Sequence, residues 1–215
     1  MSKQWRVKTL EIKNPEVLPE YPPLVIRLLA LRGFTEPEAI RDFLNPDFGK
    51  LHDPFLFADM LMAVERILQA LERKEKIFIY ADYDADAITA AAVVYLALKK
   101  LGAVVDYYIP DRFSEGYGVN ADAIKLIAER GGQLVITVDC GTNAVEEVAL
   151  AKELGMDVIV TDHHEVTGEL PEALAVINPK NPHDNYSFPF LTGVGVAFNL
   201  ISNFQMAGRN GVWIY

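Results

Sequence analysis

From residue 76 onward, short β-rich runs alternate with segments of helical periodicity, joined by short connections. "KIFIYAD" (76–82) precedes "AITAAAVVYLALKKLG" (87–102), and "AVVDYYIP" (103–110) precedes "NADAIKLIAERGG" (120–132). "QLVITVD" (133–139) precedes "NAVEEVALAKELG" (143–155), while "MDVIVTD" (156–162) and "ALAVINP" (173–179) lead to a last helix in "GVGVAFNLISNFQMA" (193–207). Such alternation is the signature of an α/β fold, a mainly parallel sheet flanked by helices and wound with right-handed crossovers. Asn120 is placed to cap its helix, and Gly102 to close the one before it.

The first 75 residues read as a small helical or mixed appendage, so the division expected is 1–75 and 76–215. "PPLVIRLLALRGF" opens on prolines and closes on Gly33, as a short helix does. In "TEPEAIRDFLNPDF", Thr35 and Glu38 have capping-box spacing. Residues 60–76 carry apolar side chains at 60, 61, 64, 67, 68 and 71, a helical period.

A composition of 51% hydrophobic and 23% charged residues fits a globular chain with a core of its own. The N-terminus lacks the apolar stretch of a signal peptide, and no run approaches a membrane span. One cysteine, Cys140, excludes an internal disulfide and fits the cytoplasm. A formal net charge of −10 speaks against nonspecific nucleic-acid binding, although acids gathered in a metal site would supply part of it.

In open α/β sheets ligands bind beyond the carboxyl ends of the strands. There this chain places Asp82, Asp84 and Asp86 after the first strand, Asp139 after the third, and Asp162, His163 and His164 after the fourth. Converging aspartates repel one another unless a cation lies among them. Carboxylates suit Mg²⁺ and Mn²⁺, imidazole tilts the choice toward Mn²⁺, Zn²⁺ or Fe²⁺, and the set suggests two ions. Such pairs lower the pKa of water and clamp a phosphoryl group, which points to phosphoester hydrolysis. Each residue also has a plainer use. A lone Asp after a strand is usually a helix cap or turn former, and a lone His a structural residue. Cys140 is read as incidental, and "GVGVAF" as either a phosphate-binding helix start or tight helix packing.

"TDHHE" (161–165) resembles the Asp-His-His signature of the DHH phosphoesterases, "DYDADAIT" (82–89) their first motif and "VDCGT" (138–142) their second. "IPDRFSEGYGVN" (109–120) and "INPKNPHDNYSFPFLTGVGVAFNLI" (177–201) are similar to the RecJ branch, whose members are single-strand-specific 5′-to-3′ DNA exonucleases of recombination and repair. The resemblance implies metal ligation by Asp84, Asp86, Asp139 and His163, with Asp82 a ligand or supporting partner and Asp139 bridging two Mn²⁺ or Mg²⁺ ions. It implies that His164 contacts metal or the scissile phosphate, that Arg112 contacts DNA phosphate, and that Asp162 orients the loop. The competing use of Arg112 is an ion pair with Glu115. RecJ-type sequences carry glycine where this chain has Ala87, and they continue to a fourth motif with another metal-binding aspartate. The chain is therefore expected to be the N-terminal part of such a protein, with a C-terminal portion or repair proteins as partners beside single-stranded DNA. The alternatives are a phosphodiesterase acting on short oligonucleotides or cyclic dinucleotides, and a non-catalytic DNA-binding or scaffold homologue.

Overall fold

The structure, a computed structural model, describes residues 4, 6 and 18–202. The expected end of the last helix, at 203–207, lies outside them. The chain divides into two compact units, Met1–Leu51 and His52–Tyr215.

In the first unit, α1 (Pro23–Ala30) and α2 (Pro37–Leu44) close over Leu18, Ile26, Leu29 and Ile40. The expected capping box is not formed. Helix α2 begins at Pro37 with Glu36 as its N-cap residue and no side-chain cap bond. Proline at the first helical position presets φ and has no N–H to satisfy, so it sets the start of the helix.

The second unit contains a five-stranded sheet in the order β2-β1-β3-β4-β5, built from β1 (Lys76–Ala81), β2 (Val104–Tyr108), β3 (Leu134–Val138), β4 (Asp157–Thr161) and β5 (Ala175–Ile177). Every pairing is parallel, with Ile79 opposite Tyr107 and Ile136, and Ile136 opposite Ile159. All five strands fall within the runs marked by the sequence.

Both faces of the sheet are covered, which is why its central strands are mostly apolar on both sides rather than alternating with polar residues. Ile77, Ile79, Ala81, Ile136 and Val138 pack against α3 (Met60–Arg73), α4 (Ala85–Lys100) and α7 (Gly193–Ser202). Phe78, Tyr80, Val135, Val158 and Val160 pack against α5 (Ala121–Glu129) and α6 (Val145–Glu153).

Asn120 caps α5 by accepting from the Ala123 amide at 2.7 Å. No described helix is long and apolar enough to cross a membrane. From β1 the chain crosses to β2 at one edge, then returns past β1 to β3. The winding direction reverses between β1 and β3, and their parallel carboxyl ends open a crevice there.

Candidate metal centre

Strand β1 is followed by Asp82, which is buried. Its Oδ1 accepts from the Tyr83 amide at 2.7 Å, while Oδ2 is buried without a hydrogen-bond partner. Burial, and then the nearby charge of Asp84, raise the Asp82 pKa against the lowering effect of the Tyr83 amide. Asp84 is the N-cap of α4 and accepts from the Ala87 amide at 2.9 Å. Ala87 is thus an ordinary helical residue with its methyl buried, a position that does not call for glycine.

Asp86, in the first turn of α4, reaches the start of another helix. Its two oxygens accept from the Gly193 and Val194 amides of α7, each at 2.7 Å. This decides between the two uses of "GVGVAF": the first amides of α7 are taken by Asp86, so they are not a free phosphate cradle. The tight-packing use holds instead. A Cβ on Gly193 would lie 2.3 Å from Asp139 Oδ1, and real Cβ atoms essentially never come that close.

Asp139 follows β3 in a left-handed conformation, φ 58°, uncommon for a residue with a side chain. Its amide donates to the Thr161 carbonyl at 2.9 Å, extending the pairing of β3 with β4 at their carboxyl ends. Its Oδ1 is buried without a hydrogen-bond partner, although His163 Nε2 stands 3.0 Å away. Burial, reinforced by the charges of Asp86 and Asp84, pushes its pKa up to about 7.

Asp162 binds its own loop. Oδ1 accepts from the amides of His163 at 2.7 Å and His164 at 3.2 Å, and from His164 Nδ1 at 2.7 Å. Oδ2 accepts from the Thr142 amide at 3.0 Å. Burial opposes its charge, but the bonds from His164 and Thr142 outweigh it and hold the carboxyl down to about 2. The same bond raises the His164 pKa. A proton on Nδ1, directed at Asp162, leaves Nε2 facing outward, the usual way a carboxylate orients a metal-binding imidazole.

Among the described residues, Asp139, His163 and His164 form the tight set, with one potential ligand atom from each within 4.8 Å of the others. Asp86 Oδ2 borders it, 3.8 Å from His163 Nε2. Asp82 and Asp84 stand outside the tight set, and their charges act on it. Arg112 lies 5.5 Å from the ring centroid of Tyr83. Glu115, the partner considered for it, instead accepts from the Asp111 amide at 2.7 Å and from Asn120 Nδ2 at 3.3 Å. Cys140 is buried, and that burial raises its pKa and disfavours a thiolate, in keeping with an incidental residue.

Two contributors escaped the sequence reading. Asn178, just past β5, donates to the His164 carbonyl at 2.9 Å and to Thr142 Oγ1 at 2.8 Å. Tyr117 places its hydroxyl 3.1 Å from His164 Nε2. Only Asn178 carried a signal, as a polar residue at a strand's carboxyl end.

A family model, the N-terminal domain of the DHH family, matches residues 76–212. The chain belongs to the DHH family. Within this DHH protein, 178 residues are 53% identical to the single-stranded-DNA-specific exonuclease RecJ of Bacillus subtilis, covering 83% of the chain and 23% of that relative. The RecJ of Escherichia coli is 36% identical over 215 residues, 99% of the chain and 37% of that relative. A crystal structure of exonuclease RecJ bound to manganese superposes with a TM-score of 0.65 at 35% identity, over 72% of this chain and 39% of that one. The RecJ of Thermus thermophilus in complex with Mn²⁺ gives 0.65 at 30% identity, over 83% and 24%. The DHH chain thus spans well under half the length of these relatives.

Proposed function

We propose that this chain carries the metal-binding half of a RecJ-like exonuclease. The reaction is metal-dependent hydrolysis of phosphodiester bonds in single-stranded DNA, 5′ to 3′, in recombination and repair. The observation that carries this reading is the pair of buried, unpartnered carboxylate oxygens, Asp82 Oδ2 and Asp139 Oδ1, on either side of the β1/β3 crevice. An orphaned buried carboxylate is costly, and a divalent cation removes the cost. Such a site fits Mn²⁺ or Mg²⁺, two ions by the number of carboxylates.

In this reading Asp84, Asp86, Asp139 and His163 hold the metal, with Asp82 as a further ligand or supporting group. When bound, the ions neutralise charge on the phosphate and activate water. Asp162 fixes the ring of His164 through Nδ1, which leaves Nε2, 3.1 Å from the Tyr117 hydroxyl, as the atom that contacts metal or phosphate. Arg112, exposed on the 109–120 loop, contacts a backbone phosphate through its guanidinium fork. Every residue of the site lies after 76, so the division into an appendage over 1–75 and a phosphoesterase domain over 76–215 is kept as a functional one. A C-terminal RecJ portion or repair proteins complete the DNA channel, and the cytoplasm is the working compartment.

The test is incubation of the purified chain with Mn²⁺ and 3′-labelled single-stranded DNA, with EDTA, a duplex substrate and His163→Ala as controls. Metal-dependent degradation of the single strand and not the duplex, abolished in the mutant, is the expected result once a C-terminal RecJ portion is supplied in trans, since a fragment inactive by itself can still bind Mn²⁺. Equal degradation by the mutant sinks the assignment. A substrate-length series separates DNA from short oligonucleotides as the preferred substrate.

A further inference from the structure

Beside the metal centre, on the far side of His164, is a cavity of about 310 Å³. Tyr117, Val119, Cys140, Gly141, Ala144 and Glu147 line it, with Asp162 and His164 where it meets the centre. We propose that this cavity is a subsite for one unpaired nucleobase, which stacks on Tyr117 and offers its Watson–Crick edge to Glu147. The proposal rests on reading the metal centre as a DNA phosphodiesterase, and it adds where the base attached to the reacting phosphate goes.

Tyr117 is 62% exposed, yet its position is fixed. Its hydroxyl is bonded to His164, its ring meets that of His164 edge-on at 6.2 Å between centroids, and the Tyr83 ring stands 6.5 Å away. The loop that carries it is anchored below. Tyr80 Oη donates to the Gly118 carbonyl at 2.9 Å, and Asn120 Nδ2 donates to Tyr80 Oη at 3.2 Å. Gly116 and Gly118, at φ 84° and 86°, bracket Tyr117 in conformations that other residues rarely adopt. An aromatic ring already held in place loses little freedom when a base stacks on it.

The cavity lies at the small end of the range of about 300–1,000 Å³ typical of ligand clefts, a size for one nucleoside and not for a duplex. Its free carboxylate is Glu147, which makes no hydrogen bond or ion pair among the described residues. The neighbouring Asn143 is fully engaged, giving Nδ2 to the Glu165 carbonyl and taking the Thr167 amide and hydroxyl on Oδ1. Each DNA base carries at least one N–H on its Watson–Crick edge: N6 of adenine, N4 of cytosine, N1 of guanine, N3 of thymine. One carboxylate acceptor therefore serves all four without choosing between them. A paired base has that edge occupied, so the subsite favours single strands.

The test compares deoxyadenosine 5′-monophosphate with 2-deoxyribose 5-phosphate, which lacks the base, by calorimetric titration in Mg²⁺. In the wild type the base should tighten binding about tenfold or more. Tyr117→Phe keeps the ring and should keep that gain. Tyr117→Ala and the cavity-filling Ala144→Phe should lose it while still binding the base-free phosphate. If Ala144→Phe does not fold, the tyrosine pair decides alone. Equal affinity of the wild type for both ligands overturns the subsite. So does a loss in Tyr117→Phe as large as in Tyr117→Ala, which would reduce Tyr117 to a tether for His164. Base-dependent binding by a chain that cleaves no DNA even with a C-terminal RecJ portion supplied in trans sinks the exonuclease reading and upholds the subsite. Cleavage of a strand with an abasic 5′ end as fast as an intact one sinks the subsite and leaves the exonuclease reading standing.

Discussion

Asp139 concentrates the tension of this molecule in one side chain. It is buried, left-handed, and has one carboxylate oxygen without a hydrogen-bond partner. Its folded pKa of about 7 lies above the roughly 3.9 of an unfolded aspartate. Its contribution to stability is therefore complete below about pH 4 and is lost as the pH rises through about 7. In EDTA the wild type should lose stability across that window. Asp139→Asn, which keeps the shape, removes the charge and suits a left-handed site, should not, and its metal-free Tm at pH 8 should be higher by about 3 °C or more. The same variant should no longer respond to Mn²⁺. Melting curves of both proteins from pH 4 to 8, with and without metal, check all three points. The adjoining glycines make a second pair. Gly193→Ala drives a methyl into Asp139 and should cost about 1–3 kcal/mol and at least tenfold in Mn²⁺ affinity. Gly195→Ala meets the Leu191 side chain at 3.3 Å and Thr192 Oγ1 at 3.6 Å, and should change stability by less than about 1 kcal/mol, as read by denaturant titration.

At the scale of elements, α4 and α7 are joined through Asp86. The residue lies in the first turn of α4 and caps α7 across a gap of 107 positions. Asp86→Ala should cost about 1–2 kcal/mol, the worth of a helix cap, and should speed amide exchange at Gly193 and Val194 before the rest of the sheet opens. This coupling was not legible in the sequence. "DYDADAIT" shows acids of the right chemistry, but nothing in it says that Asp84 caps its own helix while Asp86 caps a distant one. The strands were legible, because runs such as "KIFIY" and "LVITV" are β-branched, short and bounded by turn residues. Asn120 was legible as a cap because its bond is local. The capping box at Thr35 was not formed because Pro37 already fixes where α2 starts.

For the whole molecule, the sequence specified a parallel α/β sheet but not its strand order. The return past β1 to β3 creates the crevice, and it depends on which edge each strand joins, which local pattern does not encode. The convergence of Asp82, Asp139 and Asp162 was readable from that class of fold. The bond from Tyr117 to His164, spanning 47 positions, was not. If the acids are held apart until a cation joins them, Mn²⁺ should stabilise the entire second unit. At about one hundred times its Kd it should contribute about 2.7 kcal/mol, a Tm rise of about 5–10 °C that EDTA reverses.

The most direct measurement is a calorimetric Mn²⁺ titration of the wild type beside His163→Ala, with circular dichroism confirming that both are folded. The account predicts saturable binding in the wild type and a loss of tenfold or more in the variant. Equal Mn²⁺ affinity in the two proteins would contradict it, because the ion would then bind somewhere other than the Asp139–His163 crevice.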